Sequence, residues 1–92
     1  MTTYNGWSNY ETWNWNLWIT NDEGANTYWL ERAAAAEDAA ELAAELEYDM
    51  DELAEAANVP AGPLADVLNA GLSSIDFREI AESLIESAKE AA

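Results

Sequence analysis

The sequence predicts an all-α protein: a small single-domain bundle of about four helices over residues 1–92, with a Trp-rich N-terminal segment. Three observations predict it. Ninety-two residues fit one compact domain with a modest core. Half of the residues are hydrophobic, including five Trp and four Tyr, so there is apolar surface to bury despite a formal net charge of −16. Apolar residues also recur at helical spacing between Pro and Gly signals.

The first predicted element is the Trp-rich segment Ser8–Gly24. Ser8 and Glu11 match the capping box that begins many helices, and Gly24 is of the residue type that most commonly ends a helix. A short strand is the alternative, because Trp13 and Trp15 belong to an alternating apolar pattern, and Trp favours strands. Helix is favoured because Asn, frequent here, is depleted in strands. In either case we expect the Trp residues to anchor the core.

A long second helix is predicted from a cap at Asp22 or Asn26 towards Ala57, because Ala, Leu and Glu dominate the segment and are strong helix formers. A break over residues 47–51 is the alternative, since acidic residues there match a second capping pair. At 100° per residue, the apolar residues of this helix form one stripe that we expect to be buried. The stripe consists of Tyr28, Ala35, Ala39, Leu42, Leu46, Met50, Leu53 and Ala57.

Two shorter helices are predicted after the Pro- and Gly-containing stretch at residues 58–63. One begins at Pro63, which suits a first helical turn, and is closed by Gly71. Ser73 or Ser74 is expected to cap the last helix. The residues expected to face inward are Leu64, Val67 and Leu68 in the third helix and Phe77, Ile80, Ala81, Leu84, Ile85 and Ala88 in the last.

The composition excludes most catalytic chemistry. The chain has no Cys and no His, which removes disulfides, thiolate nucleophiles, the usual zinc sites and the usual neutral-pH general base. The carboxylates lack the loop spacing of an EF-hand calcium site, and a glycosidase pair needs a cleft that convex helices do not offer. We therefore expect no enzyme activity, catalytic residue, cofactor or metal. Without a long apolar run or a signal peptide, we expect a cytoplasmic protein that does not bind membranes.

Acidic residues are concentrated between Glu37 and Glu55, where nine carboxylates occur in nineteen residues without a basic side chain. In an unbroken helix they would span roughly 28 Å, at about one carboxylate per 3 Å, close to the one phosphate per 3.4 Å of a DNA strand. We name as the acidic ridge the residues Glu37, Asp38, Glu41, Glu45, Asp51, Glu52 and Glu55. A second row on the last helix, the last-helix row, consists of Glu79, Glu82 and Glu86.

The one-signed charge of these rows indicates a function. Like charges at i and i+4 destabilise a helix, whereas solubility needs a net charge of only about 2 to 8 in magnitude. Polyanion mimicry is therefore the leading interpretation, with salt adaptation and plain solubility as alternatives. We predict that both the acidic ridge and the last-helix row bind a partner.

Two blocks of the sequence resemble a group of small acidic proteins of bacteriophages and mobile elements. They are GWSNYETWNWNLWITNDEG, at Gly6–Gly24, and IDFREIAESLIE, at Ile75–Glu86, and together they cover about a third of the chain. The Asn-Tyr-Glu-Thr-Trp run in the first block is distinctive. The resemblance implies a phage-like origin, and small acidic proteins in such settings include anti-CRISPR and anti-restriction proteins, several of which imitate DNA.

The leading hypothesis is therefore a phage-type inhibitor that mimics DNA and occupies a DNA-binding groove of a host defence complex, such as a type I Cascade. The expected partner is a basic surface on a CRISPR effector or restriction enzyme, with no direct binding to nucleic acid, and the inhibitor is a monomer or homodimer. The rival hypothesis is a structural or assembly module that docks through exposed Trp and Tyr of the N-terminal segment. In that case the acids serve solubility or salt adaptation.

Overall fold

The computed structural model describes residues 3–91, which form five α-helices and no β-strand. The helices are α1 (Tyr10–Asn21), α2 (Glu23–Ala35), α3 (Ala39–Ala57), α4 (Pro63–Ser73) and α5 (Phe77–Ala91). The all-α prediction is confirmed, with five helices instead of four. The Trp-rich segment is helical, and the one β pairing in this part of the chain is an isolated bridge between Tyr4 and Trp7. No helix among the described residues is long and apolar enough to span a bilayer.

The start of α1 differs from the prediction by one residue. Asn9, in place of Ser8, caps the helix, because its side-chain Oδ1 accepts a hydrogen bond from the Thr12 backbone N–H at 2.9 Å. The helix ends at Asn21, before the predicted Gly. Asp22 then caps α2, as predicted, by accepting from the Ala25 N–H at 2.8 Å.

The prediction of one long second helix is wrong, because the chain turns at Ala36–Asp38. Asp38 is extended, with φ −156° and ψ 175°, and its side chain caps α3 by accepting from the Glu41 N–H at 2.9 Å. The turn allows α2 and α3 each to pack on α5, which one straight helix of about 50 Å would not allow. The alternative break over 47–51 is also wrong, since α3 continues until Asn58, whose left-handed backbone (φ 49°) ends it.

The core lies where α2 and α3 pack on α5. The inward face predicted for the last helix is confirmed: four of its six residues are buried, and Ile85 and Ala88 pack partly buried against them. The predicted burial of the apolar stripe is wrong for half of its residues. The direction of the chain changes between α2 and α3, and the last two turns of α3 contain no buried residue. The stripe residues that are exposed are Tyr28, Ala35, Leu53 and Ala57. The core consists of Trp29, Ala33, Leu42, Leu46, Met50, Phe77, Ile80, Ala81 and Leu84.

The Trp residues anchor the core only in part. Trp29 is buried, and Trp7 and Trp15 pack against the core from the N-terminal segment. Trp13 instead packs with two Tyr rings at centroid distances of 5.0 and 5.7 Å. Trp18 is 71% exposed, so the expectation of a core role is wrong for this residue.

The fourth helix packs least tightly. Pro63 lies in its first turn as predicted, but the helix continues past Gly71 to Ser73, and none of its residues is buried. Leu64 and Val67 were expected to face inward, yet they are 69% and 72% exposed. The apolar face of α4 therefore remains largely uncovered within the described chain.

The cap of α5 is Asp76, and the prediction of a Ser cap is wrong. The Asp76 side chain accepts a hydrogen bond from the Glu79 N–H at 3.1 Å. Ser73 and Ser74 are unsuited to this role because their hydroxyls donate to carbonyls of α4, four residues earlier.

Candidate partner-binding surface

The ridge helix α3 is unbroken over nineteen residues, and most of its carboxylates are exposed. Its buried line faces α5, so acidic side chains occupy the remaining sides. Glu41 and Glu55 lie about 21 Å apart along the axis at 1.5 Å per residue, with Glu52 between them. These three carboxylates, like Asp51, are exposed and in no salt bridge within the described chain.

Glu45 differs from the rest of the ridge because it is paired with a cation. Its two carboxylate oxygens accept hydrogen bonds from Nε and Nη2 of Arg32 at 2.7 and 3.0 Å, which makes a bidentate bridge between α2 and α3. The hydrogen bond and the positive charge of Arg32 lower the pKa of Glu45, and the same contact raises the pKa of Arg32. Glu45 is therefore a stabilising contact between helices and is poorly placed to imitate a free phosphate.

Asp38 is also occupied, since it caps α3. The structure brings it together with Glu37 and two members of the last-helix row, Glu82 and Glu86, around one shallow groove between the start of α3 and the end of α5. Lys89 lines the same groove. This end of the ridge thus forms one mixed, predominantly acidic surface with Glu82 and Glu86, whereas Glu79 lies outside the groove.

Two members of the last-helix row have neighbours that sequence reasoning missed. Glu79 accepts hydrogen bonds from the Ser8 backbone N–H, at 3.1 Å, and from the Ser8 hydroxyl, so it holds the N-terminal segment. Glu82 lies 3.7 Å from Arg78 in an exposed ion pair of small energetic weight. Glu86 is exposed.

A second shallow groove, on the α2 side of α3, contains residues that sequence reasoning did not select. Tyr28 and Tyr48, both exposed, line it together with Glu41 and Glu52. A hydrogen bond to the Glu52 side chain is the main cause of a raised pKa at Tyr48. Because Arg both pairs with carboxylates and stacks on aromatic rings, this groove is suited to a guanidinium. The sequence could have indicated the contact between Tyr48 and Glu52, because residues four positions apart are neighbours on a helix surface.

The acids at the C-terminal end of α3 oppose the helix dipole. Glu55 lies near the negative end of the helix, and the last turn contains no basic residue. An anion there is unfavourable by a few tenths of a kcal/mol or more. Glu55 has no salt-bridge partner among the described residues that would offset this cost. The placement therefore favours a role outside the folded chain.

The described residues contain no group of three or more His, Cys, Asp or Glu arranged to hold a metal ion. The surface combines exposed carboxylates with adjacent aromatic rings, and carboxylates of this kind are able to form charge-assisted hydrogen bonds with cationic side chains.

Fold and surface together define a small all-α domain with a dense acidic helix. The chain belongs to a family of unknown function, DUF7249, which matches residues 1–90. That match includes the ridge as well as both sequence blocks, Gly6–Gly24 and Ile75–Glu86. No curated protein and no solved structure matches the chain.

Proposed function

We propose that this protein is a non-enzymatic inhibitor that imitates DNA with the exposed carboxylates of α3 and blocks DNA binding by a host defence complex. A type I CRISPR effector is the leading target class, and a restriction enzyme is the next. The supporting observation is the unbroken helix of nineteen residues that carries most of the acidic ridge. Within residues 3–91, Glu45 is the one ridge carboxylate in a salt bridge. The site of action would be the cytoplasm of the host cell.

The chemistry of binding follows from what a DNA-binding groove contains. Such grooves present Arg and Lys to phosphates, and the same side chains form charge-assisted hydrogen bonds with carboxylates. Glu41, Glu52 and Glu55 offer these contacts along about 21 Å of helix. Tyr48 adds a ring on which an Arg bound to Glu52 can stack. The resemblance of the terminal blocks to phage proteins supports the same setting.

The deciding experiment reverses three free ridge charges without touching the Arg32–Glu45 bridge. The variant Glu41→Lys, Glu52→Lys, Glu55→Lys changes the net charge by three times two, from −16 to −10. A matched control makes the same change at exposed acids elsewhere. It reverses Glu23, Glu31 and Glu90.

Inhibition is measured as the concentration that halves DNA binding by a purified type I effector complex in an electrophoretic mobility shift. The ridge variant should need about 100-fold more protein, since three attractions of about 1 kcal/mol or more are lost and become repulsions. The control should inhibit nearly as the native protein does. If circular dichroism shows that both variants are folded and both inhibit equally, the position of the charges on the ridge does not matter for inhibition. The proposal is then wrong.

A second candidate function is a docking module, which the 71% exposure of Trp18 favours. Trp is enriched among the residues that dominate protein interfaces. In this case Trp18→Gln should abolish association with the partner, while the ridge reversal leaves it intact. The two outcomes separate the candidates.

A further inference from the structure

An apolar groove lies between α1 and α4, on a different part of the surface from the acidic ridge. Tyr10 and Trp15 line it from α1, and Val67, Leu68 and Gly71 line it from α4. Its walls are largely apolar, although Glu11 and Asn14 lie at the α1 side. Because α4 has no buried residue, this groove is bounded by a helix whose apolar face is otherwise uncovered.

Exposed apolar side chains continue both walls. Trp18 follows Trp15 by three residues, so it lies one turn further along the same face of α1. Leu64 precedes Leu68 by four residues and continues the face of α4 in the same way. Trp18, Leu64 and Val67 are each at least 69% exposed. Large apolar side chains grouped in this way mark interaction surfaces more often than isolated ones do.

Gly71 gives a second, independent indication. It lies inside α4, where Ala would be more favourable. Apart from its chain neighbours and the nearby backbone of α4 itself, a Cβ built on it meets no described atom within 4 Å. Neither backbone conformation nor internal packing therefore requires Gly at this position. The missing side chain instead leaves the α4 wall open to close approach by another molecule.

We infer that the α1/α4 groove binds a positively charged amphipathic helix of a partner protein. Amphipathic helices dock their apolar face into grooves of this kind, through anchors spaced three and four residues apart on the docking helix. The charge of the groove and of the chain indicates which partner would bind. Glu11 lines the groove, no described cationic side chain does, and the formal net charge of the chain is −16. A second copy would bring the same charge and be repelled, whereas Lys and Arg on a partner helix are attracted.

This inference stands independently of DNA mimicry, since it concerns different residues. Its test uses two synthetic peptides of eighteen residues, both composed of Leu and Lys in equal numbers. One places Leu on a single helix face, and the other has the same composition in a scrambled order without an apolar face. Titration calorimetry with the full chain in about 300 mM salt suppresses the non-specific attraction to the acidic surface.

The amphipathic peptide should bind about tenfold or more tightly than the scrambled one. Val67→Gln and Trp18→Gln, which change exposed apolar residues, should each weaken the affinity for the amphipathic peptide about fivefold or more. Gly71→Leu should weaken this affinity to a similar extent, because the added side chain fills the groove. Leu53→Gln is the matched control, because Leu53 is exposed on α3 and does not line the groove. The ridge reversal at Glu41, Glu52 and Glu55 should preserve the preference for the amphipathic peptide, whatever it does to inhibition.

Three results would overturn the inference. The first is equal affinity for the two peptides, and the second is unchanged binding by folded Val67→Gln and Gly71→Leu variants. The third is a native dimer in sedimentation velocity that Val67→Gln dissociates, because the occupant would then be a second copy of this chain.

Discussion

The Thr12 hydroxyl accepts a hydrogen bond from the Asp76 backbone N–H at 2.8 Å, although 64 positions separate the two residues. Thr12 is fully buried, and Asp76 caps α5. Beside them, the Asn9 side-chain amide donates to the Ser74 carbonyl at 2.7 Å. The two sequence blocks Gly6–Gly24 and Ile75–Glu86 therefore meet at one junction, where α1 is held on the start of α5. This junction gives the Asn-Tyr-Glu-Thr-Trp run a structural role.

Thr12→Val should destabilise the protein by about 1 to 3 kcal/mol. The substitution keeps the shape of the side chain but leaves the part-buried Asp76 N–H without its acceptor. Urea denaturation followed by far-ultraviolet circular dichroism measures the free energy of unfolding.

Thr20→Val is the matched control for this change. The Thr20 hydroxyl donates to the Asn16 carbonyl within α1, so its loss should alter stability by less than about 0.5 kcal/mol. Equal costs at the two positions would show that the bond between Thr12 and Asp76 has no special role.

Leu46→Asp and Leu53→Asp should differ strongly, although both residues belong to the predicted stripe. Leu46 is 1% exposed and Leu53 is 56% exposed. A buried Asp at 46 should cost on the order of 3 kcal/mol or more, through lost apolar contact and a buried charge. The change at 53 should cost less than about 1 kcal/mol. Thermal unfolding of the two variants gives the comparison, and similar melting temperatures would contradict the packing of α3 on α5.

Periodicity predicted the type of each element better than its limits and its partners. Leu46 and Leu53 lie on the same side of α3, yet only Leu46 is covered, because burial depends on where α5 packs. Capping patterns were equally ambiguous. Asp38 precedes Glu41 as Asp49 precedes Glu52, and local sequence does not say which pair begins a helix. The structure uses the first, because a turn there allows two helices to contact α5.

For the candidate site, composition predicted the dense acidic surface, but sequence spacing did not show which carboxylates are occupied. Glu45 is bound by Arg32 from another helix, and Glu79 by Ser8 from the opposite end of the chain. Such pairs depend on tertiary contact, so helical spacing along one segment does not indicate them. The exposed apolar face of α4 was missed for the same reason: an amphipathic pattern does not say whether a partner lies within the chain.

Glu45→Gln should lower stability slightly at pH 7, because it removes the charge that pairs with Arg32. On spacing alone, the loss of one like-charged neighbour would predict no cost or a slight gain. Glu47→Gln is the control, since Glu47 is exposed and in no salt bridge within the described residues. Melting temperatures at pH 7 test the difference, and a more stable Glu45→Gln variant would contradict a stabilising bridge.

The cost of Glu45→Gln should also depend on pH. The pKa of Glu45 is lowered from its ordinary 4.5 in the folded protein, so its bridge stabilises above that ordinary value and is lost as pH falls through the folded pKa. The difference between native protein and variant should thus be full at pH 7 and shrink in acid, below the folded pKa. A difference that stays constant from neutral pH into strong acid would assign the cost to packing instead of charge.

Salt should weaken the association of this protein with its target steeply between 50 and roughly 300 mM, if the acidic ridge makes the contact. Over this range the screening length falls from about 14 Å to about 6 Å. Glu41, Glu52 and Glu55 are exposed, so their attraction to a basic surface is screened. Reversing these three to Lys should flatten the salt dependence as well as weaken binding, and duplex DNA should compete with the native protein for the same surface. Surface-based binding measurements at four salt concentrations test all three expectations. Affinity that is indifferent to salt and to added duplex would contradict DNA mimicry and favour the exposed apolar side chains of α1 and α4 as the contact.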